Sequence, residues 1–115
     1  YNHLIEKFGA NNVAAELNSG LGTRIDMAHK DPKTGALTFY EIKTYNSIKD
    51  SIREAIGQLL EYSYWPDKVK AAELVIVTHL PGDENVGKYM QQIRQKFKLP
   101  LYYCHFVNGE LSKKI

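Results

Sequence analysis

Cysteine is nearly absent: Cys104 is the only one in 115 residues. That excludes an internal disulfide and a cluster of thiolate metal ligands. Its setting in "LYYCHF" is that of a small buried strand residue rather than a reactive thiol. No apolar run approaches the length that spans a bilayer, and no signal-peptide pattern is visible, so no membrane partner is expected. A reduced, cytoplasmic setting is the expectation. Charge of one sign is also scarce. Fifteen Lys and Arg against 13 Asp and Glu leave a net +2, which permits contact with a polyanion without demanding it. Internal repeats and low-complexity segments are lacking as well.

What is present is ordinary for a globular fold, with 43% apolar and 24% charged residues. The length suits one domain over residues 1–115 with a real core, and not two. A start at Tyr1 rather than Met suggests a piece excised from a longer chain. "YNHLIEKFG" spaces Leu4, Ile5 and Phe8 as the tail of an amphipathic helix, stopped by Gly9. "NVAAEL", "TRIDMAH" and "ALTFYEIKTY" read as three strands. Between the last two, Pro32 and Gly35 in "KDPKTG" supply a hairpin turn. From Ser47 to Trp65 the period changes: Ile48, Ile52, Ile56, Leu59 and Leu60 form a helical stripe that Pro66 ends. "AELVIVTHL" is apolar throughout, as for a strand buried on both faces. "NVGKYMQQIRQKF" is a second amphipathic helix and "PLYYCHFVNG" a last strand. The order is α-βββ-α-β-α-β, an α/β fold with a mixed sheet flanked by helices.

Within "TFYEIKTYNSI", Glu41 and Lys43 are two apart on a strand, so both leave the same face. A hairpin centred on Pro32 to Gly35 sets Asp26 opposite Glu41, so two carboxylates project from one face at cross-strand distance. Adjacent carboxylates repel, and without a compensating charge one of them protonates. A divalent cation with hard oxygen ligands supplies that charge; Mg²⁺ commonly takes one or two carboxylates together with waters and substrate phosphate. Lys43, on the same face, can orient the attacking water or hold a phosphate oxygen. Carboxylates, metal and ammonium together suit hydrolysis of a phosphodiester.

Asp26 followed after a hairpin by Glu41-Ile42-Lys43, in this order of elements, resembles the PD-(D/E)XK nuclease superfamily with its restriction-endonuclease-like αβββαβ core. "GQLLEY" places Gln58 and Tyr62 one helical turn apart and is similar to the QxxxY motif of RecB-type exonucleases. The resemblance implies a Mg²⁺-dependent nuclease, with Mn²⁺ able to substitute, that hydrolyses DNA in restriction, repair or mobile-element defence. It implies Asp26, Glu41 and the Ile42 carbonyl as metal ligands, Lys43 assisting the attacking water, and Gln58 and Tyr62 supporting the site and the nucleic acid. Two departures stand out: Ile25 replaces the proline of the motif, and an acid from the first helix would be Glu6, with Glu16 on the first strand as second choice. A separate specificity domain or a dimer partner would select the target.

Other residues carry plainer readings. Arg24, Lys30, Lys33, Lys49 and Arg53 cluster in sequence around the acids; they either neutralise phosphates without reading sequence or form a solvated basic surface. Lys88, Arg94, Lys96 and Lys98 read as a solvated helix face. The "YSYWP" stretch reads as packing at a helix end, and His29 and His79 as core or loop histidines. An alternative from another class is a non-catalytic nucleic-acid-binding or assembly module on the same fold. RNA stays open beside DNA, since nothing in the sequence reads a 2′-hydroxyl.

Overall fold

Asp31 opens the turn that sets the sheet. Its carboxylate accepts the Lys33 N–H at 2.8 Å and the Thr34 N–H at 3.1 Å, bonds that hold its carboxyl below the usual value. The Gly35 N–H donates to the Asp31 carbonyl, and the Asp31 N–H to the Ala36 carbonyl. Gly35 closes the turn at φ 76°, a left-handed conformation that a Cβ would disfavour. In this computed structural model residues 13–18, 24–66 and 70–115 are described, with side chains from Asp26 onward. The expected first helix, and Glu6 with it, lie outside the described residues.

Three antiparallel strands, β1 (Val13–Asn18), β2 (Arg24–Lys30) and β3 (Leu37–Ile42), form the expected meander. Helix α1 (Ile48–Tyr64) then crosses to β4 (Glu73–Thr78), which pairs parallel with β3. Helix α2 (Glu84–Phe97) crosses to β5 (Leu101–Val107), parallel to β4, and a two-residue β6 (Glu110–Leu111) closes the edge. Spatial order follows chain order from β1 to β6. The fold is α/β with a mixed sheet.

Both crossovers step sideways in the same direction, so both helices land on one face of the sheet. There Phe39, Leu74, Ile76, Leu101 and Tyr103 meet Ile52, Ala55 and Leu59 of α1 and Val86 and Met90 of α2. A smaller cluster of Met27, Tyr40, Val75, Val77 and Cys104 lines the opposite face. Strand β4 is buried on both, as its unbroken apolar run foretold. Helix starts are capped by side chains: the Asp50 N–H donates to Ser47 Oγ and the Val86 N–H to Asp83 Oδ1. No helix among the described residues is long and apolar enough to cross a membrane.

Three expectations need correction. The last strand does not end the sheet: Asn108 and Gly109, at φ 53° and 79°, turn the chain back into β6, as a type I′ hairpin requires. Arg94 is not simply solvated, for its Nη1 donates to the Leu101 carbonyl at 2.7 Å and its guanidinium lies 4.5 Å from the Tyr102 ring. In "YSYWP" only Tyr62 and Ser63 are buried, while Tyr64 and Trp65 are exposed.

Leu59, at 0% exposure, sits where α1 meets the sheet. Leu59→Ala is expected to cost about 2–5 kcal/mol in urea unfolding, whereas Phe97→Ala, at a side chain 72% exposed, should stay within about 0.5 kcal/mol.

Candidate active site

The β2–β3 register runs Met27 opposite Tyr40, Ala28 opposite Phe39 and His29 opposite Thr38. One step further along the same register brings Asp26 opposite Glu41, as the turn signal implied. Here the backbone ladder gives way to a side chain: Asp26 Oδ2 accepts the Ile42 N–H at 3.0 Å. The bond fixes the Asp26 carboxylate against the end of β3. On the other side of β3, the Lys43 N–H donates to the Val77 carbonyl at 2.9 Å, so β3 is tied to both neighbours at the level of the acids.

Glu41 points to the helix-bearing face and is 2% exposed. Its Oε2 lies 3.2 Å from Lys43 Nζ, on a lysine side chain only 13% exposed. Its Oε1 is buried and has no hydrogen-bond partner among the described residues. Burial, and next the neighbouring Asp26 charge, push the Glu41 carboxyl up to about 7, with Lys43 opposing the shift. This is the tension expected when two acids share a site with one cation.

Helix α1 brings two more polar groups. Ala55, Leu59 and Tyr62 lie on its buried side, and the half-buried Gln58 stands one turn before Tyr62. Gln58 Nε2 donates to the Tyr62 hydroxyl at 3.4 Å, and the Tyr62 hydroxyl in turn meets the Glu41 carboxylate. Burial first, and then the Glu41 and Asp26 charges, raise the Tyr62 phenol to about 12. It is therefore a neutral donor at ordinary pH. Gln58 Oε1, like Glu41 Oε1, is buried with no partner among the described residues. Two acceptors left without donors around two carboxylates make a site that wants positive charge or bound water.

Asp26, Glu41, Lys43, Gln58 and Tyr62 are thus brought together, with Ile42 between the acids and the lysine. The basic residues divide. Arg53 stands with Tyr45, Asp50 and Glu54 in a shallow depression, with the Tyr45 ring 6.0 Å from Lys43 Nζ, and it also lines the groove between α1 and α2. Lys49 lines a groove between α1 and α2. Lys30, opposite Leu37, is at the hairpin end of β2, four residues and about 13 Å from Asp26, away from the acids. Arg24 is placed on β2 opposite Asn18, and Glu16 on β1; their side chains lie outside the described residues.

Among the described residues no group of three or more His, Cys, Asp or Glu is arranged to hold a metal. A cation here would rest on two carboxylates and neutral oxygens, which fits Mg²⁺ better than a softer ion. Sequence reasoning passed over Tyr45 and its hydrogen bond to Glu54, which raises the Tyr45 phenol; its place in "TFYEIKTYNSI" gave no hint of a helix partner. A scan of protein-family models and searches of curated proteins and of solved structures found no match to this chain.

Because the folded value of Glu41 lies above the unfolded one, folding binds protons at intermediate pH. Its destabilising effect is absent below the unfolded value of 4.5 and fully present above about 7. In EDTA, Glu41→Gln is therefore expected to be more stable than wild type at pH 8.5, by on the order of 1–2 kcal/mol after solvent screening. The gain should vanish near pH 4.5. Urea unfolding across that range checks it, and a gain independent of pH would refute the buried-carboxylate account.

Proposed function

We propose that this domain is a metal-dependent nuclease of the PD-(D/E)XK type, on a restriction-endonuclease-like variant of its α/β fold, and that it hydrolyses DNA phosphodiester bonds. One observation carries the reading. The fully buried Glu41 carboxylate shares a face with Asp26 and Lys43 while one of its oxygens has no partner among the described residues. A bridge built only for stability would pair its oxygens or replace them with apolar groups.

Asp26 and Glu41 would hold Mg²⁺, or Mn²⁺ in its place, with the Ile42 carbonyl and Gln58 Oε1 as neutral oxygens nearby. When bound, the ion would supply positive charge for the negative charge that develops on the phosphoryl group. The chain's own groups do the rest. The Ile42 N–H holds Asp26 in one orientation, and Lys43, drawn to Glu41, keeps its ammonium where the attacking water and a phosphoryl oxygen meet. The Tyr62 hydroxyl accepts the Gln58 Nε2–H and stands close enough to the Glu41 carboxylate to feel its charge, so both helix groups face the acids. Water oxygen bonds to phosphorus and gives up a proton to solvent, the bond from phosphorus to the leaving sugar oxygen breaks, and that oxygen collects a proton from solvent. Arg53, exposed on α1, would add charge for the strand backbone. Restriction, repair or defence against mobile elements is the biological setting such chemistry fits, with the target selected by another domain or a dimer partner.

Cleavage of supercoiled and linear DNA, and of RNA, in Mg²⁺ or Mn²⁺ tests this. Glu41→Ala and Lys43→Ala are each expected to lower the cutting rate by about 10²–10⁴-fold with the fold kept, as seen in melting curves. Absence of cutting together with absence of Mn²⁺ binding in calorimetry would overturn the proposal in favour of a non-catalytic binding module. Cutting of RNA alone would change the substrate and leave the chemistry.

A further inference from the structure

The face of the sheet opposite the helices carries a cavity of about 300 Å³ at the C-terminal ends of β3 and β4. Tyr40 and Val77 form its floor, and Ile42, Phe106 and Leu111 its walls. Phe106 and Ile42 are both 40% exposed, a large apolar surface left open beside the acids. The cavity is rigid where it matters. The Tyr40 hydroxyl is engaged by His29 Nδ1 at 2.7 Å, so its ring presents a fixed apolar surface. Phe106 is paired with Leu111 across the β5–β6 hairpin, which holds both walls at one distance.

We propose that this cavity receives one unstacked nucleobase of the strand whose phosphate lies at Asp26 and Glu41; the inference rests on the nuclease reading above. Three observations point there. First, the cavity borders the candidate active site: Lys43 is among its lining residues while its Nζ lies 3.2 Å from Glu41. Only the width of β3 separates the two, because Glu41 and Ile42 are successive residues facing opposite ways. A nucleic-acid strand crossing the C-terminal end of β3 sets phosphate on one side and base on the other. Second, size limits the occupant. The volume sits at the lower end for small-molecule pockets, enough for one flat heterocycle and too small for a base pair or a folded peptide segment. Third, the lining suits a base. An exposed phenyl ring offers a stacking partner that accepts any base face, while Thr44 and His79 at the mouth are placed to meet the polar base edge. Ligands of open sheets with parallel strands sit beyond the strand C-termini, as this cavity does.

Single-stranded oligonucleotides carrying 2-aminopurine at successive positions, bound with Ca²⁺ in place of Mg²⁺ so that the acids are neutralised while cutting is suppressed, test the proposal. One position is expected to show a fluorescence change that Phe106→Ala abolishes, with Kd weakened about fivefold or more. An abasic site at that position should weaken binding to wild type by the same factor and add nothing in Phe106→Ala, since both remove the same contact. The abasic arm alters no protein residue, so a folding defect in the variant cannot imitate it. Equal abasic penalties in wild type and variant, or no position with a fluorescence change, overturn the proposal even where Mg²⁺-dependent cutting is found. A Phe106-dependent change without cutting in any metal upholds the base pocket and removes the nuclease reading instead.

Discussion

The pairing of β2 with β3 is the constraint on which the site depends. Side chains alternate along a strand, so a slip of one residue would move Asp26 to the opposite face and leave Glu41 buried beside no acid. Nothing in the two acids themselves favours the correct register, because their mutual charge opposes it. The register is held from elsewhere. At one end the Asp31 turn and the positive φ of Gly35 fix the loop length. Along the strands Ala28 and Phe39 bury toward the helices while Met27 and Tyr40 bury on the reverse. At the far end Asp26 itself takes the Ile42 N–H. The functional residue thus finishes the ladder whose register places it.

Helix α1 depends on the same alignment. Ser47 caps its start just beyond the strand motif, and Ile52, Ala55 and Leu59 lock its rotation against Leu74 and Ile76. With that rotation set, Gln58 and Tyr62 can only face the end of β3. Core packing therefore positions the polar groups, and no polar contact needs to supply the energy. The scaffold therefore does not loosen when contacts within the site break.

Much of this was legible in the sequence for physical reasons that can be named. Turn chemistry at Pro32 and Gly35 set the hairpin, the period of two exposed Glu41 and Lys43 as a same-face pair, and the period change at Ser47 announced α1. What escaped depends on tertiary neighbours. Arg94 looked like any exposed helix cation, since its partners Leu101 and Tyr102 lie on another element. Lys30 looked close to the acids because a strand was read as a list; at about 3.3 Å per residue, four positions carry it out of reach. The β6 hairpin was signalled by Asn108-Gly109, but no alternating run followed to claim it. Phe106 carried no reading beyond its place in the last strand, and only the placement of β6 beside it shows a wall left open.

The energetics argue against a purely structural role for the acids. Glu41 is desolvated, repelled by Asp26 and only partly compensated by Lys43. A buried pair of this kind is commonly no better than well-packed apolar residues of the same volume, and often worse. Sequence choices around it were not short of apolar alternatives: Phe39 and Ile76, its neighbours on the same face, are buried and hydrophobic. Retaining a carboxylate there lowers the stability of the free protein at neutral pH and above. A cation of the kind proposed above would neutralise Glu41 and Asp26 and recover that stability as binding energy. A local cost to the folded chain that a ligand reverses is what the proposed metal site predicts, whereas a purely structural pair would leave that cost standing.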